Sequence, residues 1–459
     1  MSTDATTHNS GLAFAGLAEQ AEMVRRGDAS PRELVEAALR RIERLDPQLN
    51  AFRCVRAERA LAEAASAPAG PLHGVPIAVK DNMDVTGELT CHGTGAVTRS
   101  ADADSAAVRN LRAAGAVIVG KTNLPELAMW GHFTESETHG ITRNPWDVER
   151  SAGGSSGGNG AAVASGMVPA ALGSDGGGSI RIPSAHCGLF GLKPTRDRVP
   201  LAPDHGHWHG LTVFGPMARS VVDAALLCDA ASGGSGELED AARREPGRLR
   251  IGVAYKSTLP GVRLRRPQRD AVERTAELLR SLGHDVVEEQ PRWGQLFPDI
   301  MPRYLSGVTD DAARMERPDQ LERRSRRIAR VGRMTHGRAL RRALRREPKF
   351  AARIGRSFER ADLILMPTIA QAADPVGRWR GKGAGMTFNG GAPFVGYTAV
   401  WNATGQPAAA VPAGFDGDGL PLSVQLVARA GEDATLVSLC AQIERARPWA
   451  ERRPPVSSG

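Results

Sequence analysis

Eleven glycines fall within residues 152–188, a density that the interior of a helix or strand does not tolerate. Whatever surrounds it, this segment must consist mostly of loops and close backbone approaches. A free linker would be rich in Gly and Ser throughout. Here Asp175, Ile180, Arg181, Ile182 and Pro183 interrupt the glycines and suit packing instead. At 459 residues, 41% hydrophobic and 24% charged, the chain is long enough to bury a core around such loops.

The flanking sequence alternates strand and helix signals. Ser30-Pro31-Arg32-Glu33 is a capping box with Pro at the first helical position, and Leu34, Ala37, Ala38, Ile42 and Leu45 carry an amphipathic helix to Pro47. Strands are expected at 75–79, 116–119, 169–173, 249–254, 285–288, 363–366, 408–411 and 422–427, with helices at 104–114, 220–231, 268–282 and 433–445. Such alternation predicts an α/β protein with a largely parallel or mixed sheet.

The formal charge of +8 is unevenly placed. Residues 321–360 hold fourteen Arg and one Lys against three Glu, so that stretch carries +12 and the rest of the chain −4. Arg323, Arg326, Arg327 and Arg330, then Arg338, Arg341, Arg342 and Arg345, recur at helical spacing beside Ile328, Val331, Leu340 and Leu344. That pattern predicts amphipathic helices with a solvated basic face, and with few aromatics interleaved nucleic acid is not an expected partner. The five cysteines are odd in number and widely spaced, no apolar run is long enough to span a bilayer, and residues 1–20 lack a basic start and apolar stretch. These point to a cytoplasmic protein without a membrane span.

Three familiar patterns lack their structural context. Residues 115–122 satisfy GxxxxGK[ST], but the four intervening residues read as a strand rather than a phosphate cradle. Residues 153–157 and 154–158 satisfy GxSxG, yet 144–150 do not read as the strand an elbow requires, and only His284 and His336 lie well downstream as bases. His205, His207 and His209 would share one face of a strand as ligands of a metal-dependent hydrolase, but flanking Asp204, Gly206 and Gly210 favour loop histidines.

Three other pieces make chemical sense together. Lys80 ends the buried apolar run from Val75, where desolvation favours a neutral amine able to act as a base. Ser155 and Ser156 supply hydroxyls in a permissive loop. Ser179 supplies another, after Gly176, Gly177 and Gly178, whose N–H groups with that of Ser179 could form an anion-binding nest. Asp175 and Arg181 read as a buried pair steadying that loop.

From about residue 30 to 454, and above all over residues 153–195, the sequence resembles the amidase signature family of serine hydrolases. Gly120-Lys-Thr-Asn123, Asn144-Pro-Trp146, Gly215-Pro-Met-Ala-Arg219 and residues 402–428 resemble its flanking blocks. The resemblance implies Lys80 as base, Ser155 as a bridging serine after a cis peptide bond, and Ser179 as nucleophile, 24 residues further on as in the family. It also implies an α/β fold with a large mixed, mostly parallel sheet core covered on both faces by helices. On this reading, residues 1–70 are a helical region packing on the core, 71–290 the signature core, 291–361 an Arg-rich helical insertion or cap, and 362–459 the rest of the core. Substrate contacts are expected from Met129, Trp130, Phe388 and Trp401. Gly176, where the family often carries a larger side chain, predicts a roomier acyl side.

The expected activity is serine-dependent hydrolysis of small amides, with aryl amides, carbamates (urethanes) and esters as variants because all pass through the same oxyanion. No cofactor or metal is expected, and the enzyme is expected as a monomer or homodimer. The glutaminase subunit of a tRNA-dependent amidotransferase is the alternative within the family. A noncatalytic binding protein would require a damaged triad.

Overall fold

The computed structural model describes residues 12–234, 236–294 and 296–458. Much of the expectation for residues 1–20, namely residues 1–11, lies outside the described residues. Eleven strands form one sheet. They are β1 (Phe52–Val55), β2 (Pro76–Lys80), β3 (Val117–Thr122), β4 (Ala170–Asp175), β5 (Phe190–Lys193), β6 (Val213–Ala218), β7 (Arg250–Val253), β8 (Asp285–Glu288), β9 (Leu363–Pro367), β10 (Ala408–Phe415) and β11 (Pro421–Ala428). Their order is β1-β3-β2-β4-β6-β5-β10-β11-β9-β7-β8. β2 runs parallel to β3 and β4 near one end, and β7 parallel to β8 and β9 at the other. Antiparallel pairs join these groups through the middle.

The helices used below are α1 (Pro31–Leu49), α2 (Gly157–Ala164), α3 (Arg181–Cys187), α4 (Val221–Ser232), α5 (Arg266–Ser281), α6 (Phe297–Arg314), α7 (Arg323–Thr335), α8 (Arg338–Gly355) and α9 (Asp433–Ala446). The predicted capping box is formed: Ser30 Oγ accepts from Glu33 N, and Glu33 Oε2 accepts from Ser30 N at 2.7 Å. α1 continues past Pro47 by two residues.

Side-chain alternation along the strands divides the core. Ile77, Val79, Ile118, Leu172, Leu365 and Leu426 face one continuous apolar layer under α4, α5 and α9. On the other face, Ala78, Val117, Val119 and Ala171 meet α1 and α2, whereas Ile364, Met366 and Val427 meet α6, α7 and α8. Lys80 shares the parity of Ala78, and Asp175 that of Ala171. Both therefore project onto this second face, in the region between its two apolar halves.

Three strands of this sheet differ from expectation by their presence. β1, β5 and β6 carry short or Gly- and Pro-interrupted runs. β6 nevertheless lies inside the sheet, because β5 pairs only with Met217 and Ala218, leaving Pro216 beyond that ladder. Gly215 is needed there, since a Cβ would collide with the Leu192 carbonyl. The basic helices also rotate from the predicted face: all eight Arg named above are exposed, but so are Val331 and Leu344. The inward positions are Ser325, Ile328 and Gly332 in α7 and Leu340, Ala343, Phe350 and Ile354 in α8. Gly332 replaces Val331 because any Cβ there would strike the Leu305 carbonyl of α6.

Candidate active site

Lys80 ends β2, Ser174 and Asp175 end β4, Ser155 and Ser156 precede α2, and Ser179 precedes α3. Glycines let these four chain segments meet. A Cβ on Gly154 would overlap the carbonyls of Trp130 and Phe133, and one on Gly158 would overlap Ala51 and Asn123 backbone. Gly154–Ser155 is a cis peptide bond.

Lys80 Nζ lies 2.7 Å from Ser155 Oγ, 2.9 Å from Ser174 Oγ and 3.4 Å from Ser174 O. Asn82 Nδ2 also donates to Ser174 Oγ at 2.9 Å. Among the described residues no carboxylate touches the amine. Asp81, the neighbour a strand-end lysine would otherwise use, is taken by Lys121 at 2.9 Å and Arg53 at 3.1 Å. Burial accordingly pushes the Lys80 pKa down to about 7, with the charge of Asp175 opposing only in part. A neutral amine has two N–H groups and one lone pair. Ser174 offers two acceptors, its Oγ and its carbonyl, and Ser155 offers a hydroxyl to the lone pair.

Ser156 N donates to Ser179 O at 3.1 Å, tying the two serine loops together. Lys80 and Ser155 have no exposed surface, whereas Ser179 is 8% exposed; of the three, only Ser179 reaches solvent. Asp175 accepts from Arg181 Nε and Nη2, Asn402 Nδ2, Ile180 N and Gly178 N. Burial alone would raise its pKa, but the Arg181 charge and these bonds hold it well below the usual carboxylate range. Arg181 also donates to Gln425 Oε1 at 2.7 Å, Asn402 Oδ1 at 2.6 Å and Thr398 O at 3.0 Å. The nucleophile loop is thus clamped from β11 and the 398–402 segment.

Several expected contacts are corrected. Gly178 N–H is committed to Asp175 and is withdrawn from any oxyanion nest, while among the described residues no protein acceptor takes the N–H of Gly177 or Ser179. The space beside Gly176 is not empty: a Cβ there would lie 2.8 Å from the ring of Trp208. Trp401 is fully buried against Trp293 and Phe358, and Trp130 is stacked on Phe133 beneath the Gly154 loop. Neither has surface to offer a substrate. Met129 and half-buried Phe388 belong to a different cluster, where Tyr304 of α6 packs on Phe388 at 6.0 Å and on Trp208 at 5.1 Å, and donates from its hydroxyl to Met129 O.

The histidine triplet is neither a strand nor a convergent ligand set. His207–Gly210 is a helical turn with left-handed Trp208 and His209. His205 is exposed, His207 faces Asp311 at 3.0 Å, and His209 faces Asp310 at 3.1 Å. His284 bonds Gln442 and His336 approaches Asp310, so neither serves the serines. A short strand, Asp147–Ser151, does precede the GxSxG segment, contrary to expectation, but it pairs in a separate hairpin with Arg143–Asn144. Within the GxxxxGK[ST] match, Val117–Thr122 is β3, as expected.

Sequence reasoning missed Ser174, Asn82, Asn402, Gln425, Trp208 and Tyr304. Ser174 was within reach, standing beside Asp175 at a buried strand end. Asn82 stands two residues after Lys80, whereas Trp208, Tyr304, Asn402 and Gln425 lie 29 to 246 residues beyond Ser179, and no local signal marks them.

Comparison with known proteins gives consistent relatives. A family model described as Amidase matches residues 33–437. The chain is 50% identical to AmiB2 of Mycobacterium tuberculosis (strain ATCC 25618 / H37Rv), an amidase by its assigned name, over 97% of this chain and 99% of that protein. It is 35% identical to the 6-aminohexanoate-cyclic-dimer hydrolase of Paenarthrobacter ureafaciens, with 95% of each covered. A solved 6-aminohexanoate cyclic dimer hydrolase with its substrate superposes with a TM-score of 0.91 at 33% identity, covering 97% of this chain and 100% of that one. A bacterial aryl acylamidase superposes with a TM-score of 0.85 at 25% identity, covering 97% and 99%.

Proposed function

From the premise that this chain belongs to the amidase family of enzymes acting on C–N amide bonds, we propose that it hydrolyses small-molecule amides through an acyl-enzyme on Ser179. The observation that carries this reading is the fully buried Lys80 amine, 2.7 Å from Ser155 Oγ and, among the described residues, without a carboxylate partner.

Neutral Lys80 receives the Ser155 hydroxyl proton, and Ser155 in turn receives that of Ser179. Ser179 Oγ attacks the amide carbon, and the oxyanion is held by the N–H groups of Gly176, Gly177 and Ser179. The proton returns through Ser155 to the leaving nitrogen as the C–N bond breaks. Water then attacks the ester by the same relay, releasing the acid and restoring Ser179. Lys80 stays bonded to Ser174 throughout, which fixes the direction of its lone pair.

The wall of Met129, Tyr304, Phe388 and Trp208 is apolar and aromatic, and supports amides with an aliphatic or aryl acyl part. The relatives supply the first candidates: the 6-aminohexanoate cyclic dimer and aryl anilides, with carbamates and esters as variants. Assay of purified protein on that panel tests the reading. Wild type should release amine with an acyl-enzyme burst, and Ser179→Ala should lose at least about 10³-fold in kcat/KM with an unchanged melting temperature. Unaltered turnover in Ser179→Ala would defeat the assignment.

A further inference from the structure

Away from the serine site, His209, Asp310 and His336 bring together two imidazoles and a carboxylate from three separate elements. His209 lies in the His207–Gly210 turn, Asp310 in the last part of α6, and His336 closes α7 as its C-cap. His209 Nε2 is 3.1 Å from Asp310 Oδ2, and His336 Nε2 is 3.0 Å from Asp310 Oδ1. The ligand atoms all lie within 4.8 Å of one another. His209 Nε2 is buried and makes no hydrogen bond, despite its short distance to the carboxylate. Its nitrogen is therefore close to Asp310 without being aimed along a hydrogen bond. Ligands sharing one ion have this relation: metal–ligand bonds of about 2.0–2.1 Å put neighbouring donor atoms roughly 3.3 Å apart, each aimed at the ion rather than at its neighbour.

We propose that His209, Asp310 and His336 form a site for a divalent transition metal of the zinc, cobalt or nickel class. Two imidazole nitrogens and one carboxylate oxygen suit borderline ions rather than calcium or magnesium, which prefer all-oxygen shells. Half-exposed His336, at 38% of its side-chain surface, leaves the outer side open for water to complete the coordination. The ion would tie α6 and the α7 terminus to the turn carrying Trp208, whose ring backs Gly176 of the nucleophile loop. Its role is to brace that wall, and it takes no part in proton transfer by Lys80. This site uses one of the three sequence-neighbouring histidines and two partners that only the fold supplies.

The test is titration of the chelator-stripped full chain with Co²⁺ or Zn²⁺ alone, following cobalt d–d absorption and binding heat. One equivalent of Co²⁺ per chain should give visible bands that Zn²⁺ displaces, and Zn²⁺ should raise the melting temperature in a concentration-dependent way. Asp310→Asn and His336→Ala should each weaken binding at least tenfold while melting like the metal-free wild type. His205→Ala, an exposed control, should bind as wild type does. The proposal is overturned if wild type takes up no stoichiometric metal, or if both variants bind as it does. Should one variant fail to fold, the other, on a separate element, decides by the same criterion.

Discussion

Lys80, Lys121 and Lys193 are all fully buried, and they meet the cost of burying an ammonium in different ways. Lys121 stays paired with Asp81 and bonded to Leu89 O and Thr90 Oγ1. Lys193 is pushed down to about 7 by burial, with Arg181 adding to it, but among the described residues its Nζ donates only to the Pro194 carbonyl. Lys80 is also pushed down to about 7, and it alone of the three lies beside serine hydroxyls. A depressed pKa therefore does not single out the base; the hydroxyl geometry does. Because the base form is the neutral amine, kcat/KM should rise with pH to a plateau above about 7, as a pH–rate profile would show. Stability has the same sign. Between about 7 and the ordinary 10.5 the unfolded chain holds a proton that the folded Lys80 has lost, so stability climbs with pH, and the full cost remains below 7. That cost is roughly 5 kcal/mol at about 1.4 kcal/mol per pH unit. Lys80→Met should lose at least about 10³-fold in kcat/KM yet melt no lower than wild type at pH 7. A large fall in melting temperature would show that the Ser155 and Ser174 bonds outweigh desolvation.

Between elements, the decisive contact is that of the nucleophile loop with the His207–Gly210 turn. The glycine at 176 predicts space, and the fold fills that space with Trp208, whose Nε1 donates to Asp311 at 2.7 Å. Gly176→Ile should then be an overpacking change, destabilising by about 1–3 kcal/mol and slowing turnover of every acyl group. In a Trp208→Ala background the same substitution should cost less than half as much, measured as a double-mutant cycle by denaturant unfolding. Equal costs in both backgrounds would mean that the ring is not what the side chain meets. The basic helices repeat the lesson. Their 3.6-residue period is plain in the sequence, but the inward face is set by the close approach of Gly332 to α6, which periodicity cannot weigh.

Across the whole molecule, the start of the basic helices also meets the Glu126–Ala128 turn that follows β3 through a pair of carboxylates. Glu322, at the N-cap of α7, donates its backbone N–H to both oxygens of Glu126 at 3.1 and 2.9 Å. Burial, then the charge of Glu322, raises the Glu126 pKa to about 8. From the ordinary 4.5 up to about 8 the folded chain holds a proton that the unfolded chain has released, so this contact loses stability as pH rises through that window. Glu126→Gln, which cannot ionise, should melt higher than wild type at pH 8 and about the same at pH 5. Parallel melting curves across that range would refute it.

Local chemistry was legible without tertiary structure. Capping at Ser30, the apolar run of β2 and the glycine-dense loops rest on residue types and spacings over a few turns of chain, whereas the choice of Lys80, Ser155 and Ser179 rests on the family resemblance. The strand parity that puts Lys80 and Asp175 on one face follows from the same short-range rule. What tertiary structure alone decided lies at long sequence separation: Asn402 and Gln425 clamping Arg181, Trp208 filling the side of Gly176, Trp401 withdrawn into the core, and His209 meeting His336 instead of His207. Sequence period records which face of an element is apolar. It does not record which distant element covers that face, and the shape of a pocket is a property of the covering.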